Sequence, residues 1–209
     1  MSNIKAVIFD MDGVLIDAKE WHYEALNAAL KHFGFEISRH DHLVTYDGLP
    51  TRDKLEMLTR ERDLPRELHV FINQLKQRYT VEFVNERLVP NFLHEFALSQ
   101  LKIMNYRMAV ASNSIRKTID LMMDKAALSH YLEFTLSNED VVKGKPDPEI
   151  YLKAIERLEL EPNQCIILED NPHGLEAAYG SGAHVLQVAD VSQTNLDNIL
   201  NFINRVSQR

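Results

Sequence analysis

Two aspartates spaced two apart, Asp10 and Asp12, follow the apolar run Ala6 to Phe9 and precede Gly13. On an extended chain residues i and i+2 project the same way, so both carboxylates leave on one side. Like charges at close quarters repel unless a cation or a shared proton relieves them. The spacing suits one aspartate held ionised by a divalent metal and a second free to carry a proton. The same residues also fit a strand followed by an Asx/Gly turn whose side chains only cap backbone amides. Two further apolar runs end in polar pairs: Ser112 and Asn113 after Arg107 to Ala111, and Glu169 and Asp170 after Cys165 to Leu168. Lys145 lies between them in Lys143-Gly144-Lys145-Pro146-Asp147-Pro148, where both prolines exclude regular structure. Gathered at one sheet edge, these residues would make a carboxylate triad for Mg, a cation and a hydroxyl–amide pair. Mg prefers hard oxygen ligands and commonly shares a phosphate oxygen. Lys145, Ser112 and Asn113 would then bind the remaining phosphoryl oxygens, where charge spreads in the transition state. A carboxylate nucleophile forming an aspartyl-phosphate is established chemistry for such a site.

The elements that must position these groups are legible in the hydrophobic pattern. Ala6 to Phe9 is too short for a helix and reads as a buried strand. Helical spacing of Trp21, Ala25, Leu26, Ala29, Leu30 and Phe33 predicts a helix from Asp17 to Phe33, with Gly34 as a stop. Thr51 to Leu58 reads as a helix start, and Pro65 to about Glu86 as a longer helix. From Pro90 strands and helices alternate: a helix at 91–104, a strand at 107–112, a helix at 115–126 and a short strand at 134–136. A helix opened by Pro148 runs to about Leu158, followed by a strand at 165–168 and a helix at 173–181. A strand at 185–188 and a helix from about Gln193 to Val206 finish the chain. This alternation predicts an α/β fold, a doubly wound parallel sheet with right-handed crossovers. Ligands in such sheets bind just beyond the carboxyl ends of strands. The core is expected to comprise residues 1–17 and 88–209, with an inserted all-helical domain at 18–87.

Composition narrows the class. The 209 residues can bury a good core and hold one large domain, or one domain with an insert. A formal charge of −8 argues against nucleic acid or an anionic membrane surface as partner. The single cysteine, Cys165, excludes an intramolecular disulfide, fits a reducing compartment and reads as core because it begins an apolar run. No signal peptide and no apolar run of membrane-spanning length is visible, so a cytoplasmic location is expected.

The four motifs together resemble those of the haloacid dehalogenase superfamily, within it the β-phosphoglucomutase-like phosphatases and phosphomutases. They are Asp10-Met11-Asp12-Gly13-Val14, Ala111-Ser112-Asn113, Lys145-Pro146-Asp147-Pro148 and Leu168-Glu169-Asp170-Asn171 with Gly174. The resemblance covers essentially the whole chain and implies a Rossmann-like core with a helical cap at 18–87. It implies that Asp10 is the nucleophile and Asp12 the general acid–base. It also implies that Mg is held by Asp10, the Asp12 carbonyl, Glu169 and Asp170. Ser112 and Asn113 would bind the phosphoryl group, while Lys145 would neutralise it and steady Asp10.

In the cap, Gly48-Leu49-Pro50-Thr51-Arg52 resembles a substrate-reading loop, and a guanidinium suits bidentate phosphate binding. Arg52 could equally be a solvated residue paired with Asp53 or Glu56. His22 matches a position that lines the site in mutases, although a surface or core role suits it nearly as well. Lys76 lies near a mutase cap lysine but its spacing to Tyr79 is one residue short, so it is expected on the surface. Ala18, Asn91 and Asn171 depart from the usual Thr, Gly and Ser, and none deletes a catalytic group. The expected activity is a Mg-dependent phosphatase acting on a small phosphorylated metabolite such as a sugar phosphate, in a monomer. The alternatives are a β-phosphoglucomutase-type isomerase and a non-catalytic metabolite-binding protein.

Overall fold

The structure, a computed structural model, describes residues 4–46 and 49–208. Five strands form one parallel sheet: β1 (Ala6–Phe9), β2 (Arg107–Ala111), β3 (Phe134–Leu136), β4 (Cys165–Glu169) and β5 (His184–Gln187). Their order is β3-β2-β1-β4-β5. The chain thus builds outward from β1 on one side, then restarts at β4 on the other. The order reverses between β1 and β4, and doubly wound sheets take ligands at the carboxyl ends of the strands flanking such a switch.

The helices are α1 (Lys19–Lys31), the single turn α2 (Arg39–Asp41), α3 (Thr51–Arg62), α4 (His69–Arg87), α5 (Phe92–Ile103), α6 (Arg116–Lys125), α7 (Glu149–Arg157), α8 (Pro172–Gly180) and α9 (Leu196–Ser207). Two compact units result: Met1–Asp17 with Val89–Arg209, and Ala18–Leu88.

In the sheet unit, alternate side chains of each strand go to opposite faces. Ala6, Ile8, Ala111 and Ile167 share one face with Ile150, Tyr151 and Ala154 of α7 and Ala177 of α8. Strands β1 and β4 are buried throughout, as parallel strands covered on both faces must be. The ladder also anchors the residues that follow it. The Asp10 N–H donates to the Leu168 carbonyl at 3.0 Å, and the Ser112 N–H to that of Leu136 at 3.0 Å.

The helical unit packs α1 along α4 over Leu26, Leu30, Leu55, Leu58 and Ile72. Along α4 the buried stripe is Ile72, Lys76, Thr80 and Val84, four residues apart. Among the described residues no helix is long and apolar enough to cross a membrane.

The element boundaries differ from the sequence reading in ways that have local causes. Strand β4 extends one residue further, so Glu169 belongs to the strand and only Asp170 follows it. Pro148 stands as the cap before α7 rather than as its first residue. The Glu149 carboxylate there accepts the N–H groups of Val142 and Lys143, at 3.0 and 2.9 Å, pinning the loop that leads to Lys145. The last helix begins at Leu196 because the Asn195 side chain caps it, accepting from the Asn198 N–H at 3.0 Å.

Candidate active site

The carboxyl ends of β1 and β4 bring Asp10, Glu169 and Asp170 together. Each offers a carboxylate oxygen, and all three oxygens lie within 4.8 Å of one another. Into this group reaches Lys145, whose ammonium donates to Asp10 Oδ1 at 2.6 Å and to Glu169 Oε2 at 2.8 Å. Its third donation goes to the Tyr151 hydroxyl at 2.7 Å, so three acceptors match its three N–H bonds. Asp10, Glu169 and Lys145 are all buried.

The electrostatics follow from that burial. Burial itself, then the charge of Glu169, push the Asp10 pKa well above the usual carboxylate range, against the pull of Lys145. Burial works the same way on Glu169, but the Lys145 ammonium and the hydrogen bonds from Lys145 and Tyr151 outweigh it and bring its pKa down. Burial alone would lower Lys145, yet the charges of Asp10 and Glu169 raise it. One ammonium therefore bridges two buried carboxylates, with a third, that of Asp170, clustered beside them. A divalent cation with a preference for oxygen is the natural complement, and the donor set is all oxygen.

Glu169 is positioned with little slack. Its Oε1 accepts the backbone N–H groups of Asp170 and Asn171, at 3.1 and 3.2 Å, ahead of α8. The Asn171 side chain caps α8 by accepting from the His173 N–H at 3.0 Å. Gly174, in the first turn of α8, lies directly against the Glu169 carboxylate: a Cβ there would sit 2.0 Å from Cδ. Glycine-to-alanine changes inside helices ordinarily stabilise by about 1 kcal/mol. Gly174→Ala is expected to do the opposite, displacing Glu169 and weakening Mg affinity roughly 10- to 100-fold, the scale for a disturbed ligand orientation. Titration calorimetry with Mg measures this, and an unchanged affinity would separate Glu169 from the metal.

Asp12 sits in a tight loop after β1. The Met11 carbonyl accepts the N–H groups of Val14, Leu15 and Ile16, at 3.3, 3.0 and 2.9 Å, and Gly13 turns with φ +89°. That angle favours glycine, which accounts for its place after the second aspartate. Ser112, beyond β2, is buried, and its Oγ accepts the Ser114 N–H at 3.1 Å. Asn113 makes a contact that the sequence reading does not include. Its Oδ1 accepts the Lys145 N–H at 3.0 Å and its Nδ2 donates to the Lys145 carbonyl at 3.3 Å. The side-chain amide thus clamps the Lys145 loop.

The helical unit holds the other sequence-predicted residues. Arg52 lies in the first turn of α3, its side chain 88% exposed and its Nε 3.4 Å from Asp53 Oδ1. This is the solvated arrangement. Gly48, which opens the expected substrate loop, lies outside the described residues. His22 is half-buried on α1. Lys76, expected on the surface, is buried, and its Nζ lies 3.3 Å from His22 Nδ1. That correction has a visible cause: Lys76 falls on the buried stripe of α4 between Ile72 and Thr80.

Tyr151 is a functional neighbour that the motifs do not include. It is buried, its O–H donates to Glu169 Oε2 at 2.5 Å, and its ring centroid is 4.6 Å from Lys145 Nζ. A buried tyrosine hydroxyl needs a partner, and this one lies six residues beyond Lys145 on a core-facing position of α7. That combination is the signal in the sequence that points to it.

Residues 7–188 match the haloacid dehalogenase-like hydrolase family. The phosphorylated carbohydrates phosphatase of Thermotoga maritima is 30% identical over 182 residues, covering 86% of this chain and 82% of that protein. The fructose-1-phosphate phosphatase YqaB of Escherichia coli is 24% identical over 184 residues, covering 87% of this chain and 95% of that protein. The β-phosphoglucomutase of Clostridium difficile has a similar fold, with a TM-score of 0.83 at 23% identity over 99% of this chain and 100% of that one.

Proposed function

The chain belongs to the haloacid dehalogenase-like hydrolases, and from that premise we propose that it is a Mg-dependent phosphatase of a small phosphorylated metabolite, a sugar phosphate in particular. The observation that carries this reading is the meeting of Asp10, Lys145, Glu169 and Asp170 at the ends of β1 and β4. The phosphatase relatives support the same enzyme class, a phosphoric monoester hydrolase.

In this mechanism an Asp10 carboxylate oxygen attacks phosphorus, and the bond from phosphorus to the leaving oxygen breaks. Asp12 gives its proton to that oxygen, so the alcohol departs neutral. The ionised Asp12 then takes a proton from water, whose oxygen attacks the phosphorus of the aspartyl-phosphate. The bond to Asp10 breaks, phosphate leaves, and Asp12 is again protonated. Lys145 holds the Asp10 carboxylate in position and adds positive charge beside the phosphoryl group. The Ser112 hydroxyl and the Asn113 backbone N–H donate to the phosphoryl oxygens. Asp10, the Asp12 carbonyl, Glu169 and Asp170 would hold Mg, which when bound offsets the charge on phosphoryl oxygens.

A phosphomutase is the second reading, favoured by the buried Lys76 beside His22. The two differ in what attacks the phosphoenzyme, water or a second substrate hydroxyl. The test is a set of phosphorylated metabolites assayed for free phosphate, with Mg and with EDTA. Mg-dependent release without any sugar bisphosphate activator is the expected result. No release from any of them would overturn the hydrolase, and activator-dependent isomerisation in its place would establish the mutase.

A further inference from the structure

Ser114 has no part in the chemistry above, yet its hydroxyl donates to Asp12 Oδ2 at 3.1 Å. The contact spans 102 positions of sequence. It arises because β1 and β2 are neighbours in parallel register, with Phe9 opposite Val110, so the loops beyond them leave the sheet side by side. The Ser114 main chain is tied at both ends: its N–H donates to Ser112 Oγ at 3.1 Å, and its carbonyl accepts from the Asn138 N–H at 3.1 Å. Asn138 belongs to a turn fastened by Ser137, whose N–H and Oγ both bond Asp140 Oδ2 at 2.7 Å. The hydroxyl is therefore offered from a fixed point. Asp12 has a fixed backbone and a half-buried side chain, and the terminal torsion of a carboxylate is broad unless contacts set it.

We propose that Ser114 is a positioning residue for proton delivery: by binding Oδ2 of Asp12 it fixes the carboxyl plane, and with it the direction from which the proton reaches the leaving oxygen. The assignment rests on the phosphatase reading. A misaimed catalytic group costs on the order of 100-fold when geometry slips by about an ångström. That cost falls only on substrates whose leaving group needs the proton. Alkyl phosphates, including sugar phosphates, need it; p-nitrophenyl phosphate, which departs as a stabilised phenolate, hardly does.

The test compares kcat/KM, which reports the step that expels the leaving group, for p-nitrophenyl phosphate and for an alkyl phosphate substrate. Ser114→Ala should lose roughly 10- to 100-fold on the alkyl ester and at least tenfold less than that on p-nitrophenyl phosphate. Ser114→Thr, which keeps the hydroxyl, should restore most of the loss. In an Asp12→Asn background Ser114→Ala should add nothing, because the two act as one unit. Equal losses on both substrates, no loss on either, or additive effects with Asp12→Asn would overturn the assignment. If the parent enzyme with Mg hydrolyses neither ester, the phosphatase reading itself fails and the Ser114 assignment with it.

Discussion

Asp10→Asn is expected to abolish phosphate release, by about ten-thousandfold or more, on the scale of a removed nucleophile, while leaving the protein at least as stable as its parent in metal-free buffer. The two halves of that expectation share a cause. An amide is nearly the shape of a carboxylate and can keep the bond from Lys145 at Asp10 Oδ1, now accepting on its carbonyl oxygen. It cannot attack phosphorus. Burial and the charge of Glu169 make an ionised Asp10 costly to the fold. An amide removes that repulsion. Added Mg should then reverse the order, since a ligand bound only by the folded state stabilises it by about 2.7 kcal/mol at a hundredfold excess over Kd. The parent should gain from Mg and Asp10→Asn should gain much less. Urea unfolding with EDTA and with Mg, beside a phosphate-release assay, reads every part of this.

Lys145→Ala is expected to act in the opposite direction on stability and in the same direction on activity. The ammonium bridges Asp10 and Glu169 and donates to Tyr151, all of them buried. Removing it leaves carboxylates facing one another without their cation. Breaking a buried ion pair from one side costs about 3–5 kcal/mol. That loss should shrink when Mg is present, because a metal held as proposed would supply positive charge at the same carboxylates. Activity should fall by a factor of about 100 or more, on the order expected when a preorganised electrostatic group is lost. Arginine should not rescue it, since a planar guanidinium cannot point three donors along an ammonium's directions. Opposite signs of stability change for Asp10→Asn and Lys145→Ala would identify the site as one with buried excess negative charge. Equal signs would contradict it.

Much of this site is legible in the amino-acid sequence, because the fold delivers polar residues to one edge by a rule that acts locally. Strands β1, β2 and β4 are apolar runs, each meeting polar residues at its carboxyl end, and they are the three inner strands of the sheet. Asp10 and Glu169 need only strand register to meet, and Asp170 follows directly. Lys145 is legible from its loop, whose prolines fix where a helix cannot be.

What the sequence hides depends on contacts between distant elements. Tyr151 meets Glu169 across 18 positions because α7 packs on the same sheet face as β4. Ser114 meets Asp12 only because β2 lies beside β1. Lys76 misleads because a lysine suggests solvent, although its four-residue spacing from Ile72 and Thr80 puts it on a buried face. Asn113 also holds the Lys145 loop with its side chain, a long-range contact that its place after β2 does not reveal.

The most direct test of the central claim is to find where phosphorus goes. The enzyme would be mixed with substrate and Mg, quenched in acid within the first turnover, and its peptides mapped by mass. One phosphoryl group is expected on the peptide carrying Asp10, released by hydroxylamine as an acyl phosphate is. Steady turnover with no phosphorylated peptide, or with phosphate on a serine or histidine instead, would contradict it.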